Sequence, residues 1–309
     1  MPEPPALAPP MPEPAAGGGY GAIIAGAALV SAGWARDFVR VAGPDAERYL
    51  QGQLSQDVAQ LAPGGTAWSL VLQPQGKLDV FVRCTRLGDN EFVLDSDRGM
   101  GATLVHRLLR FRLRTKADVD QLDWQVLAVR GPLAPAPAPA GLAIPFRWSG
   151  LVGYDLAGEA PQLPEPLATA TAEDHEAARI EAGFPRHGAE LDERTIPAEA
   201  GLVEATVSFT KGCYTGQELV ARIDSRGSNV PRRLRGLLLS GPAAPGTPLF
   251  NGDDGKEVGR LTSMARSPAR GWVGLGYASR AVEPGAGLVV GDGLASAVVH
   301  RLPLFAAAS

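Results

Sequence analysis

The segment Lys211-Gly212-Cys213-Tyr214-Thr215-Gly216-Gln217-Glu218 gathers the side chains of this sequence best suited to chemistry. Lysine is scarce, four among 29 basic residues, yet one stands two positions before Cys213, itself one of two cysteines. Gly212 and Gly216 allow close backbone approach by a ligand, or turns with positive φ. Gln217-Glu218-Leu219-Val220-Ala221-Arg222 reads as the start of a helix, with Thr215 as N-cap and Glu218 and Arg222 in i,i+4 relation. A thiol just outside a helix N-terminus, with an ammonium nearby, is biased toward thiolate. Such a group is nucleophilic and can ligate iron, including that of an iron–sulfur cluster. A packed thiol in a tight turn has the same sequence, and both readings stand at this level.

The other candidates are charged. Arg226, four residues after Arg222, extends a basic stripe fit for an anion. Arg110, Arg112, Arg114 and Lys116 alternate along one expected strand face, and Arg232, Arg233 and Arg235 cluster further on. Each group is a solvated, ion-paired face or an anion contact. A formal net charge of −4 and 6% aromatics argue against direct nucleic-acid binding. No cysteine or histidine pair has metal-ligand spacing, so a stably bound metal is not expected. His106, His175, His187 and His300 lack the neighbours of a hydrolase triad. Two distant thiols build no disulfide framework, which points to a reducing, cytoplasmic setting. Cys84 and the five tryptophans read as core. The uncharged stretch 15–35 lacks a basic start and is rich in small residues, unlike a membrane span.

These side chains need a scaffold. At 309 residues, 45% hydrophobic and 20% charged, more than one domain is expected. Residues 1–16, mostly Pro, Ala and Glu, read as a disordered tail. A helix is expected over 20–32, a strand at 38–41, and a helix entered at Pro44. Strands at 67–72 and 77–85 flank the turn Gln73-Pro74-Gln75-Gly76, followed by a strand at 91–95 and a helix at 100–109. The alternation of 110–114 predicts a strand with one basic face. A strand at 125–129 and a Pro/Ala loop at 132–140 precede strands at 143–146 and 153–156 and a helix over 172–182 closed by Gly183. This order implies an α+β fold rather than a doubly wound parallel sheet. From 234 onward, short strands between Gly/Pro/Asp turns imply a small antiparallel barrel.

The string at 211–218 resembles the signature Lys-Gly-Cys-Tyr-x-Gly-Gln-Glu of the YgfZ-type folate-binding proteins, relatives of the glycine-cleavage T-protein, an aminomethyltransferase. Arg179-Ile180-Glu181-Ala182-Gly183, Pro197-Ala198-Glu199-Ala200-Gly201-Leu202, Val41-Ala42-Gly43-Pro44-Asp45, Leu72-Gln73-Pro74-Gln75-Gly76 and Val258-Gly259-Arg260-Leu261 extend the likeness over residues 20–305. The resemblance implies a ring of two ferredoxin-like α+β subdomains (17–232) and a C-terminal antiparallel β-barrel (233–309) around a central channel that binds tetrahydrofolate or a derivative. It implies support of iron–sulfur enzymes, including tRNA-modifying ones, as transient partners, without a stably bound metal and without a membrane.

Carried over residue by residue, Lys211 and Cys213 match the signature lysine and cysteine, with a transient iron–sulfur contact implied at Cys213. Tyr214, Gly216, Gln217, Glu218, Arg222 and Arg226 would line a mouth of the channel. Glu181 matches the pterin-holding glutamate of the T-protein relatives, where a carboxylate suits paired N–H donors. Asp79, in Gln75-Gly76-Lys77-Leu78-Asp79, stands alone where the aminomethyltransferases carry two aspartates. It either faces the pocket or is a structural strand-end carboxylate. A folate-dependent one-carbon transferase is therefore the alternative to an accessory protein that is no classical enzyme.

Overall fold

The computed structural model describes residues 18–136, 141–163 and 165–305. The expected tail at 1–16 and residues 137–140 of the Pro/Ala loop lie outside the described residues. The helix expected over 20–32 divides in two. Helix α1 (Gly19–Ala25) ends at Gly26, and Ala28–Val30 forms a strand, β1, with Ala28 and Val30 buried. A mildly apolar run fits either element, and here the open slot in a sheet decides for extended backbone.

Strands β2 (Arg36–Ala42), β3 (Thr66–Leu72), β4 (Leu78–Gly88), β5 (Glu91–Asp97) and β6 (Asp118–Leu122) form one sheet in the order β3-β4-β5-β2-β6. Val39, Val41, Val80, Val82 and Leu94 bury one face against α2 (Ala46–Gln53) and α3 (Gly101–Arg110). The expected basic strand at 110–114 does not form. Arg110 closes α3, Arg114 takes φ +54, and the strand starts at Asp118. Arg107 and Arg110 sit over the Phe111 ring at 3.9 and 5.6 Å, a cation–π turn that five alternating residues cannot announce.

The second sheet combines β1 with β7 (Gln125–Arg130), β8 (Leu142–Trp148), β9 (Leu151–Gly158) and β10 (Ala168–Ala170), in the order β10-β1-β7-β9-β8. Helix α4 (Ala172–Ala182) follows, closed as expected by Gly183 at φ +68 and opened by a Thr171–Asp174 capping box that the sequence reading did not single out. Short helices α5 (Val203–Thr206) and α6 (Gln217–Asp224) lead to the barrel. The barrel is closed and antiparallel, built from β11 (Arg232–Leu239), β12 (Pro248–Asn251), β13 (Glu257–Ser267), β14 (Gly271–Ser279), β15 (Gly287–Val290) and β16 (Ala295–His300). Sequence reading missed β12, four residues whose ladder to β13 shifts register at Leu249/Phe250. Arg232, Arg233 and Arg235 lie inside β11 rather than ahead of the barrel, with Arg232 paired to Glu199.

A buried ion ladder joins the two sheets. Arg36 Nε meets Asp95 at 2.7 Å, and Arg83 reaches Asp95 at 2.9 Å and Asp155 at 2.6 Å. Arg130 closes on Asp155 at 2.8 Å, and Arg36 also pairs with Asp97. Burial alone would push the Asp155 carboxyl up, but Arg130 and Arg83 hold it below the usual carboxylate range. Arg36 and Arg130 lie 5.0 and 4.8 Å from the Trp34 ring, and Arg83 lies 5.1 Å from that of Trp68. Trp34, Trp68, Phe81, Phe146, Trp148 and Phe184 pack ring against ring around this ladder; Trp68, Trp148 and Cys84 are core as expected, while Trp34 is half-buried against that core.

His175 of α4 is buried beside Trp34, and burial, aided by Arg130, lowers its pKa to about 3. The unfolded chain therefore holds a proton between pH 6.5 and 3 that the folded chain does not. Stability falls as pH drops through that window, by up to about 1.4 kcal/mol per pH unit from this group. Urea midpoints taken across the window should fall less steeply for His175→Phe than for the wild type.

Candidate functional site

The signature segment docks onto two neighbours. Gly216, at φ +82, is the N-cap of α6, so Thr215 is not. A Cβ on Gly216 would lie 2.5 Å from the Gln73 carbonyl oxygen, and one on Gly76 would lie 2.5 Å from Leu219 Cβ. The close approach that these glycines permit is thus between the signature and the turn joining β3 to β4, not between backbone and ligand. The Thr215 N–H donates to Gly52 O at the end of α2, 3.1 Å away. Tyr214 is buried, its N–H donates to Gln217 Oε1, and burial pushes its phenol up to about 12.

Lys211 is oriented by the same helix end. Its Nζ donates to the carbonyls of Gln51, Leu54 and Gln56 at 2.8, 2.7 and 2.8 Å, and burial lowers its pKa to about 8. An ammonium has three protons, and all three are engaged. No ammonium proton is therefore left over for the thiol two residues on. Cys213 is exposed, whereas Cys84 is sealed in the core. Glu218, Arg222 and Arg226 are also exposed and form no ion pair among the described residues.

Asp79 begins β4 and is held by Arg107 Nε at 2.9 Å. That guanidinium also donates to Leu72 O and Gln53 Oε1, which ties Asp79 to the α2 end beneath the signature. Its partner is an arginine rather than backbone. Glu181 lies elsewhere, on α4 against the barrel. It is fully buried, its Oε2 accepts from Tyr20 Oη at 2.6 Å, and Arg270 Nε stands 3.9 Å away. Burial and the Glu181 carboxylate hold the Tyr20 phenol well above its usual range, so it remains a donor. Glu181 Oε1 is buried without a donor. Among the described residues no hydrogen bond links Glu181 to residues 211–218, although Tyr214 and Val220 share one buried apolar cluster with Tyr20, Ile180 and Ala182.

Sequence reading did not assemble a cleft of about 430 Å³ lined by Trp34, Asp97, Arg98, Arg179, Arg186 and His187, among others. Arg98 is exposed and unpaired among the described residues, and Arg186 stands 3.3 Å from Glu176. Asp97 is taken by Arg36 and by the His187 N–H. His187 Nε2 accepts from Phe81 N at 3.0 Å, which leaves the proton of a neutral ring on Nδ1. The lining comes from loops far apart in sequence, so no spacing could signal it.

No family model matches the chain. It is 30% identical to an iron–sulfur cluster assembly factor IBA57 homolog of Pyricularia oryzae, over 78% of this chain and 68% of the relative. Identity is also 30% to a tRNA-modifying protein YgfZ of Vibrio vulnificus (68% of this chain, 69% of the relative) and to an aminomethyltransferase of Rubrobacter xylanophilus (85% and 79%). Among solved structures, the glycine cleavage system aminomethyltransferase T of Bartonella henselae shares the fold at TM-score 0.76 and 22% identity, over 93% of this chain and 88% of that one.

Gly216→Ala forces a side chain into a left-handed position against backbone that cannot retreat, at a cost of about 2 kcal/mol or more. Chemical denaturation should register that loss, whereas Gly212→Ala, with open space around it, should leave the midpoint nearly unchanged.

Proposed function

The chain belongs to the YgfZ/GcvT-like superfamily, and from that premise we propose that it is a folate-binding accessory protein for iron–sulfur enzymes, including tRNA-modifying ones, with Cys213 as its working group. The observation that carries this reading is the contrast around the thiol. Lys211, Tyr214, Thr215 and Gly216 are all tied into the fold, while the Cys213 thiol between them is left in solvent. An exposed thiol on a fixed loop suits transient contact with iron or with a client protein. A stable cluster needs more ligands, and the described residues contain no group of three or more His, Cys, Asp and Glu placed to hold a metal.

The chemistry of a folate suits two features. Glu181 Oε1, buried and without a donor, would accept an N–H of the pterin, with Tyr20 fixing the other oxygen. Arg98 and Arg186 at the cleft would meet the carboxylates of the tail. Bound tetrahydrofolate would supply a reduced pterin, and this chain's residues would hold and orient it. The one-carbon transferase reading is weaker, because the single aspartate at its expected catalytic position is engaged by Arg107.

Cys213→Ala should abolish support of an iron–sulfur-dependent tRNA modification in cells that lack their own copy, while the melting temperature moves by no more than about 2 °C. Full modification in that variant, measured by mass spectrometry of digested tRNA, would reject the thiol reading. In calorimetric titration with tetrahydrofolate, Glu181→Gln should weaken binding by about tenfold or more, since its amide presents N–H where an acceptor is needed. Unchanged affinity would remove Glu181 as the anchor.

A further inference from the structure

We propose that Lys211 is a positioning residue, which fixes the direction of the Cys213 side chain by pinning its loop to the C-terminal end of α2 rather than by acting as the thiol's charge partner. This rests on the reading of Cys213 as the working group. The last carbonyls of a helix have no intrahelical donor and carry the negative end of its dipole. Lys211 supplies a cation to that end, with contacts of 2.8, 2.7 and 2.8 Å to Gln51 O, Leu54 O and Gln56 O. Its ammonium also stands 5.3 Å from the Tyr214 ring centroid, which fastens the next anchored side chain to the same place.

Four residues later the Thr215 N–H returns to Gly52 O of the same helix. Residues 212–214 therefore form an arch with both feet on one helix end. Within it the Tyr214 side chain is buried as part of the main apolar core. Cys213 is left facing out, and Gly212 has no neighbour that would restrain it otherwise. The far foot is held in turn by Gly216, wedged against Gln73 and Leu72. With one foot released, the thiol keeps its chemistry but loses its fixed direction. Arginine cannot replace the lysine here, because a flat fork of donors does not converge on three carbonyls that surround a point.

The test compares the full chain with Lys211→Met and with Lys211→Gln, which retains two donors and guards against a folding failure of the first. Amide exchange at Thr215 should rise by about tenfold or more in Lys211→Met and by less in Lys211→Gln. The pH at which iodoacetamide alkylation of Cys213 is half-maximal should be the same in all three proteins, and tRNA modification should fall in the order of the exchange rates. The proposal is overturned if Thr215 exchange is unchanged, or if the alkylation profile moves up by about one pH unit, the mark of a lost charge partner. If Cys213→Ala retains full tRNA modification, the function reading fails, while the exchange and alkylation results still judge the role of Lys211.

Discussion

Three buried arginines and the aspartates that hold them set the frame on which everything else is placed. Arg36, Arg83 and Arg130 alternate with Asp95 and Asp155 in a chain of contacts at 2.6–2.9 Å, and the groups come from both sheets. Desolvating so many charges is costly, and the cost is offset only when every partner is in place. A slip of one sheet against the other would leave a charge unpaired in an aromatic interior, so the ladder tolerates a single alignment. The rings of Trp34, Trp68 and Phe146 around the guanidinium groups strengthen that demand.

The two groups of the proposed site stand on different elements of that frame. The first sheet carries α2 and the β3–β4 turn, the two surfaces on which the signature loop rests. The second sheet is followed by α4, which bears Glu181, and is joined by α1, which brings Tyr20 to it. The thiol and the buried carboxylate thus belong to different walls of one frame, and they differ in kind. The carboxylate half is sealed and short of one donor. The thiol half is open and short of nothing but a partner. A ligand held inside and a protein met outside are what these two environments suit.

Within the signature, most of the invested structure is not at the sulfur. The lysine serves a helix end, the tyrosine is buried in the core, and the second glycine makes room for a neighbouring turn. Residues that look reactive in a string can thus be the masonry that holds a loop. Asp79 is a parallel case, since its carboxylate balances Arg107 beside the same helix end.

The linear order of residues was sufficient for much of this. Alternation in β2, the glycine stop of α4, the turn residues of the barrel and the motif at 211–218 are local signals, because each depends on neighbours a few positions apart. They gave the α+β class, the closing barrel and the cysteine to examine. Where local preference was balanced, the reading failed. Residues 28–30 were drawn into a sheet by an open slot, and 110–114 turned because Phe111 found Arg107 and Arg110. Which carbonyls receive Lys211, which oxygen of Glu181 lacks a donor, and how loops at 33–35, 97–98 and 186–189 enclose a cleft depend on contacts between residues tens to hundreds of positions apart. Only the folded chain brings them within hydrogen-bonding distance, so only the tertiary structure decided what each motif residue does.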